Sequence, residues 1–263
     1  MLPKEYDIEG KVVFITGAGR GIGKGIAQVL AEAGADIAIN ALTDRYVIKT
    51  AGDIAQASGR RVLPILADVT KSDEVQRAID TVLKEFGRID VLVNNLGDAI
   101  RKPLVKLPDK KGETASDADI KKILDLNLMG AILCTRAIGP HMLERRSGKI
   151  INISSFTAGK GGKEIVLYTL AKSAVVGFTR AQALEWAPYN IQINSIAPGF
   201  FPELLNVASE EAAKTMAAYI AKMTPVGRAG RLREVGLLAL YLASSASDYM
   251  TGQTLYLDGG LSL

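Results

Sequence analysis

Seven short apolar runs, separated by stretches of helical period, constrain this chain more than any other feature. The runs are residues 11–16 (KVVFIT), 36–40, 61–67, 89–95, 148–154, 191–197 and 253–258. Helical spacing fills 21–33, 45–57, 71–86, 117–145, 166–187, 208–222 and 231–243. Short β-rich runs alternating with helices specify parallel strands joined by right-handed crossovers. The runs are apolar almost throughout, a pattern that suits a sheet covered by helices on both faces. The expected fold class is therefore α/β, a doubly wound parallel sheet between two helix layers. The 263 residues, 48% of them hydrophobic, suffice for one large core. No repeat or linker divides them, so a single domain over 1–263 is expected. Pro140, inside the helical stretch 117–145, predicts a kink.

Several function classes are disfavoured at once. Cys134 is the only cysteine, so no internal disulfide can form, and its apolar helical surroundings read as core. His141 is the only histidine, which argues against a histidine-cluster metal site; no metal is expected. The net charge of +4 is spread along the chain and gives no basic stripe for nucleic acid. The polar start, MLPKEYDIEG, lacks the apolar core of a signal peptide, and no uninterrupted apolar segment is long enough for a bilayer. A cytoplasmic protein without a membrane partner is expected.

In a doubly wound sheet, ligands gather at the carboxyl ends of the strands. The first run ends in TGAGRGIG, with glycines at 17, 19, 21 and 23, and Ile22 where the third glycine of GxGxxG would stand. Glycine permits positive φ and close approach of an anion to bare backbone. The helix that follows offers its unpaired amides and the positive end of its dipole. An ordinary strand-to-helix turn needs fewer glycines. Farther on, YTLAK sets Tyr168 and Lys172 four residues apart, on one face of a helix. A cation there stabilises a phenolate, which an isolated tyrosine, with its pKa of roughly 10, needs before it can act as a base near neutrality.

TGAGRGIG, NNLG at 94–97, NIS followed by Ser155, YTLAK and APG at 197–199 occur together in this order. The set resembles the short-chain dehydrogenase/reductase family, including its 3-oxoacyl-reductase-like members, and the likeness covers essentially the whole chain. The resemblance implies a Rossmann-type fold, a nicotinamide cofactor and hydride transfer between a ketone and a secondary alcohol. Tyr168 would be the general acid/base. Lys172 would lower its pKa and hydrogen-bond the nicotinamide ribose. Ser155, or failing it Ser154, would orient the substrate oxygen. Asn127 would join Lys172 in a proton relay, unless its side chain bonds only its own helix. The implied cofactor contacts are Gly17, Gly19, Arg20, Gly21, Ile22 and Gly23 in the turn and Asn40 after the second strand. Asp68 and Val69 follow the third; Asn94, Asn95 and Gly97 follow the fourth; Tyr168, Lys172, Pro198 and Gly199 complete the set. The family often has threonine where this chain has Glu203, which leaves the backbone amides of 200 and 201 for that contact. Phe200 and Phe201 would wall the nicotinamide or belong to the core.

Family members that use NAD usually carry an acid just past the second strand. Here Asn40 and Ala41 stand there, and Arg20 lies inside the glycine turn, with Thr43 and Arg45 nearby. This favours NADP(H) over NAD(H), with Asp44 as the opposing signal. Residues 98–116 carry Arg101, Lys102, Lys106, Lys110 and Lys111. They are either a solvated basic loop or a recognition site for an anionic carbonyl or alcohol substrate. Residues 200–230 would form a substrate lid. Relatives pair helices corresponding to 117–145 and 166–187, which implies a homotetramer or dimer. Two other functions stay open: a non-catalytic dinucleotide-binding scaffold, and enoyl reduction, whose family branch usually spaces its tyrosine and lysine more widely.

Overall fold

The computed structural model describes residues 3–109, 111–203 and 209–263. Its strands are β1 (Val12–Ile15), β2 (Asp36–Ala41), β3 (Val62–Leu66), β4 (Val91–Asn94), β5 (Gly148–Ile153), β6 (Ile191–Pro198) and β7 (Thr254–Leu257). All pair in parallel, in the order β3-β2-β1-β4-β5-β6-β7. The helices are α1 (Gly21–Glu32), α2 (Asp44–Ser58), α3 (Ser72–Phe86), α4 (Asp117–Leu124), α5 (Gly130–Arg145), α6 (Thr157–Lys160), α7 (Val166–Trp186), α8 (Glu210–Met223) and α9 (Leu232–Ala243). This is the Rossmann-type sheet that the sequence pattern implied.

Strand residues alternate between two cores, as the two-residue period of a strand requires. Val13, Ile15, Ile37, Ile39 and Val93 face α1, α2 and α9. Val12, Phe14, Ala38, Leu92 and Ile150 face α3, α5 and the far end of α7. Phe14 is fully buried, and a buried side chain of this kind contributes about 2–3 kcal/mol. Cys134 is buried in the second core, where loss of water pushes its thiol up to about 12.

The stretch 117–145 departs from the regular helix the sequence predicts. Residues Asp125–Met129 form a π-helical turn between α4 and α5, while α5 continues through Pro140 to Arg145. Taken as one helix, Asp117–Arg145 is long and apolar enough by length and composition to cross a membrane, but Asp125 and Arg136 interrupt its apolar run. Leu133, Cys134, Ile138 and Met142 place it in the second core. The helix expected at 208–222 runs from Glu210 to Met223, and residues 204–208 lie outside the described residues.

Helices α1 and α9 cross in close contact through Gly25 and Gly236. A Cβ on Gly25 would lie 2.7 Å from Leu232 Cβ and 2.8 Å from its carbonyl oxygen. One on Gly236 would lie 2.8 Å from the Gly25 carbonyl oxygen. This contact fixes α1, and with it the glycine turn at its start. Gly236→Ala is expected to cost about 1–3 kcal/mol through overpacking. Gly52→Ala, in an open position on α2, should instead gain about 0.5–1 kcal/mol from helix propensity. Paired urea melts check both.

Candidate active site

The order of the sheet reverses between β1 and β4, so their carboxyl ends diverge there and leave a crevice. Thr16 closes its floor. The Thr16 amide donates to the Val93 carbonyl at 3.0 Å. Its hydroxyl accepts the Asn95 and Leu96 amides at 3.0 and 3.2 Å. The Asn95 side chain in turn donates to the carbonyls of Thr16 and Gly17 at 2.9 and 3.0 Å. Above this floor a cleft of about 1740 Å³ runs from Arg45 and Tyr46, past the glycine turn, to Phe200, Tyr219 and Leu261.

Gly17, Gly19, Arg20, Gly21 and Ile22 line the cleft. Gly17 and Gly21 have φ of +61° and +62°, the region that favours glycine. Gly23 does not line it. A Cβ there would lie 2.6 Å from Asn95 Nδ2, so Gly23 serves the packing beneath the turn. The first amide of α1, on Gly21, already holds an anion of this chain: it donates to Glu203 Oε2 at 2.7 Å. Asp68 and Val69 line the cleft after β3. Partial burial alone would raise the Asp68 pKa, but the Thr70 hydrogen bonds and the Lys71 charge outweigh it and hold the group below its ordinary value. Asn95, Gly97, Pro198 and Gly199 also line the cleft. Asn94 does not; it faces the opposite side, donating to Thr135 Oγ1 and Asn152 Oδ1 at 3.1 and 2.8 Å.

Beyond β2, Asn40 reaches the cleft, but its amide nitrogen is spent on the β3 end, donating to the Ile65 and Ala67 carbonyls at 3.3 and 3.0 Å. Ala41, Leu42, Thr43 and Arg45 form the wall there, and Asp44, the first residue of α2, is not part of it. The Arg20 and Arg45 guanidinium carbons lie 5.8 and 5.0 Å from the Tyr46 ring centre. Two cations thus share one aromatic at this end.

At the other end α7 carries Tyr168 and Lys172 into the cleft. Lys172 is buried, and its Nζ donates to the Ile153 carbonyl at 2.9 Å and lies 5.8 Å from the Tyr168 ring centre. Burial lowers its pKa to about 8. Tyr168 departs from the expectation that Lys172 pulls its pKa down. Burial pushes the phenol up, a hydrogen bond with Ser155 pulls it back, and the Asp98 charge adds to the rise; the sum lies above its ordinary value. In the protein alone, desolvation wins.

Asn127 sits in the π-helical turn, buried behind the cleft. Its Nδ2 donates to the Asp98 carbonyl at 2.8 Å and to Ile123, one turn back on its own helix, at 3.0 Å. Its Oδ1 is buried without a partner. A Cβ on Gly97 would lie 2.5 Å from this Oδ1 and 2.8 Å from Lys172 Nζ. The missing side chain of Gly97 leaves the two facing one space.

The neighbouring serines divide clearly. Ser154 Oγ donates to the Lys172 carbonyl at 2.9 Å. Ser155 Oγ accepts from the Thr157 amide and hydroxyl at 3.2 and 3.0 Å. With both lone pairs filled, its hydrogen is the one that meets the Tyr168 phenol. Thr157 was not singled out in the sequence; its only signal there is a hydroxyl two residues beyond Ser155.

Of the basic loop, only Arg101 reaches the cleft. Lys102 is paired with Glu113 and Asp119 at 3.0 and 3.1 Å, Lys106 and Lys111 lie off the cleft lining, and Lys110 lies outside the described residues. Lys160 and Lys163, which the sequence reading passed over, line it instead. Phe200 packs between Phe156 and Tyr219, with ring centres 5.5 and 6.5 Å away, and Phe201 reaches both the cleft and the first core.

Comparison with known proteins agrees with this geometry. Residues 17–262 match a family model described as enoyl-(acyl carrier protein) reductase. The chain is 37% identical over 262 residues to the 2-dehydro-3-deoxy-D-gluconate 5-dehydrogenase of Escherichia coli K12, covering 99% of this chain and 98% of that protein. It is 34% identical over 254 residues to the 3-oxoacyl-[acyl-carrier-protein] reductase FabG of Thermotoga maritima, covering 97% and 98%. Among solved structures, a gluconate 5-dehydrogenase from Burkholderia cenocepacia J2315 in complex with NADP and tartrate superposes with a TM-score of 0.87, at 36% identity and 98% coverage of both chains.

The buried ammonium yields a pH-dependent expectation. The unfolded chain holds the Lys172 proton up to about 10.5 and the folded chain only up to about 8. Between these values the unfolded state binds more protons, so this group favours the fold increasingly as pH rises. Urea melts of wild type and Lys172→Met should therefore show wild type gaining about 2–3 kcal/mol relative to the variant between pH 7 and pH 10.

Proposed function

Because the chain belongs to the short-chain dehydrogenase/reductase family, and is an NAD(P)-dependent oxidoreductase interconverting a secondary alcohol and a ketone, we propose that Tyr168, Lys172, Ser155 and Asn127 are its proton-transfer site. The observation that carries this reading is the convergence of Asn127 Oδ1 and Lys172 Nζ on the side-chain-free face of Gly97. An orphaned buried acceptor beside a buried ammonium is costly, and it makes sense where a polar group completes the network.

The residues present fit a dinucleotide: bare glycine backbone, a helix amide that accepts an anion, and a wall without acid after β2. Gly17, Gly19 and Gly21 would hold its diphosphate, with Ile22 beside them. Asp68 and Val69 would hold the adenine. Asn95, Gly97, Tyr168 and Lys172 would hold the ribose next to the nicotinamide, and Pro198 and Gly199 the nicotinamide itself. The cofactor, when bound, supplies or accepts the hydride. Ser155 would turn its hydrogen from the phenol to the substrate oxygen, which fixes that oxygen beside Tyr168. The Tyr168 hydroxyl gives its proton to the forming alkoxide in reduction and takes it back in oxidation. Lys172 holds the charge balance beneath the phenol, and Asn127 turns an acceptor toward the ammonium.

The reading extends to NADP(H) over NAD(H). Arg20 and Arg45 around Tyr46 suit a 2′-phosphate, and Asp44 points no carboxylate into the cleft wall. The substrate class is a hydroxy or keto carboxylate. Arg101 and Lys163 line the cleft on the Tyr168 side, and among the described residues neither has an ion-pair partner. The sugar-acid names of two relatives support the same class. Residues 200–230 act as its lid through Phe200, Tyr219 and Met223, which line the cleft. Exposed Met129, Val166, Leu170 and Leu184 on α7 and the π-turn support pairing of these helices between copies in a dimer or tetramer.

Tyr168→Phe should lower kcat for keto-acid reduction by a factor on the order of a thousand, far more than it weakens NADPH binding in parallel titrations. Tenfold tighter binding of NADH than of NADPH in the same titrations would remove the NADP assignment. Arg101→Met and Lys163→Met should each raise KM about tenfold for a keto acid and leave that for a neutral ketone unchanged. Equal effects on both substrates would sink the carboxylate reading.

A further inference from the structure

Among the described residues, Glu203 is the acidic side chain bonded to the proposed diphosphate cradle. Its carboxylate takes the Gly21 amide at 2.7 Å, at the positive end of α1, where a phosphate oxygen gains most from the helix. The backbone leading to it is anchored at several points. The Gly199 amide donates to the Leu257 carbonyl at 3.0 Å, and the Gly230 amide donates to the Phe200 carbonyl at 2.9 Å. Phe200 is held between Phe156 and Tyr219, and Phe201 closes on Gly230. The carboxylate is thus delivered across the cleft from the nicotinamide end to the phosphate end by a short, fixed stretch of chain.

We infer that Glu203 is an intramolecular competitor for the cofactor's diphosphate, and so a determinant of how tightly the cofactor binds and how fast it leaves. The inference rests on the proposed reading of residues 17–21 as the diphosphate cradle. One amide hydrogen serves one strong acceptor, and two anions at the same helix end repel. The diphosphate therefore enters only when the Glu203 carboxylate leaves Gly21. Apparent affinity is then the intrinsic affinity multiplied by the fraction of molecules with the amide released. A contact made nine-tenths of the time weakens binding on the order of tenfold. Because the diphosphate is common to both nicotinamide cofactors, Glu203 acts on NADH and NADPH alike, unlike Arg20 and Arg45 at the 2′-position.

The test compares wild type with Glu203→Gln, which keeps a weaker neutral acceptor, and Glu203→Ala, which keeps none. Dissociation constants for NADPH, NADH, ADP and adenosine are measured by calorimetry. Amide exchange of the peptide covering residues 17–23 is followed by mass spectrometry without nucleotide. The expected result is tighter binding of NADPH, NADH and ADP by one common factor, on the order of tenfold in Glu203→Ala and less in Glu203→Gln. Adenosine, which has no phosphate, should bind equally to all three proteins. Exchange of the 17–23 peptide should be faster in both variants. Unchanged or weaker ADP binding in the variants, with ADP still slowing exchange at 17–23, would overturn the inference and leave the cradle reading intact. If ADP fails to slow that exchange in any of the proteins, the cradle reading itself falls.

Discussion

The junction of β1 and β4 sets everything downstream of it. The Asn95 amide donates to the Thr16 hydroxyl at 3.0 Å, and the Asn95 side chain donates to the Thr16 carbonyl at 2.9 Å. At this point the strand order turns, and the chain must leave the sheet on opposite sides. The lock holds the glycine turn against residues 95–97, so that one wall of the cleft offers bare amides and the other offers Gly97. Because Gly97 has no side chain, Asn127 and Lys172 can approach from behind it. The glycine turn and the open face of Gly97 are thus built on the same pair of strand ends.

Burial is what this arrangement costs. An ammonium with a single carbonyl partner, an amide oxygen with none, and a phenol raised by desolvation are all held near one glycine. Each is unfavourable in a folded chain unless its surroundings fix it. The π-helical turn at Asp125–Met129 is part of that fixing. Asn127 sits within it, and its amide spans from Ile123 on its own helix to Asp98 on the neighbouring strand end. Short π-turns inside longer helices commonly mark such sites. Ser155 is treated in the opposite way. Thr157 fills its acceptor positions, and the Ser155 hydrogen bond with Tyr168 draws the phenol's pKa back down.

Much of this was legible in residue order. The seven runs became seven parallel strands, and the alternation within each run now separates Val13 and Ile15 from Val12 and Phe14 on opposite faces. Tyr168 and Lys172 share a helix face and a cleft, as four-residue spacing requires. Adjacent positions at strand ends were harder. Asn94 and Asn95 look alike in sequence, yet successive residues there take opposite directions, and only Asn95 reaches the cleft. Asn40 stands at the right place, but its amide is drawn to β3 carbonyls that lie twenty-five and twenty-seven residues away. In the basic loop, Lys102 is consumed by Glu113 and Asp119, and among the loop's described cations Arg101 lines the cleft.

The sequence by itself determined the α/β class, the strand and helix succession, the glycine turn and the family's set of site residues. Hydrophobic period and local spacing carry that information along the chain. Only the tertiary structure decided which neighbours remove water or supply a partner. It buried Lys172 and lowered its pKa, raised that of Tyr168 rather than lowering it, and left Asn127 Oδ1 facing Lys172 across Gly97. It also set Glu203 on the Gly21 amide from 182 residues away. Desolvation and long-range hydrogen bonding depend on what packs around a group, and that is fixed only when distant segments meet.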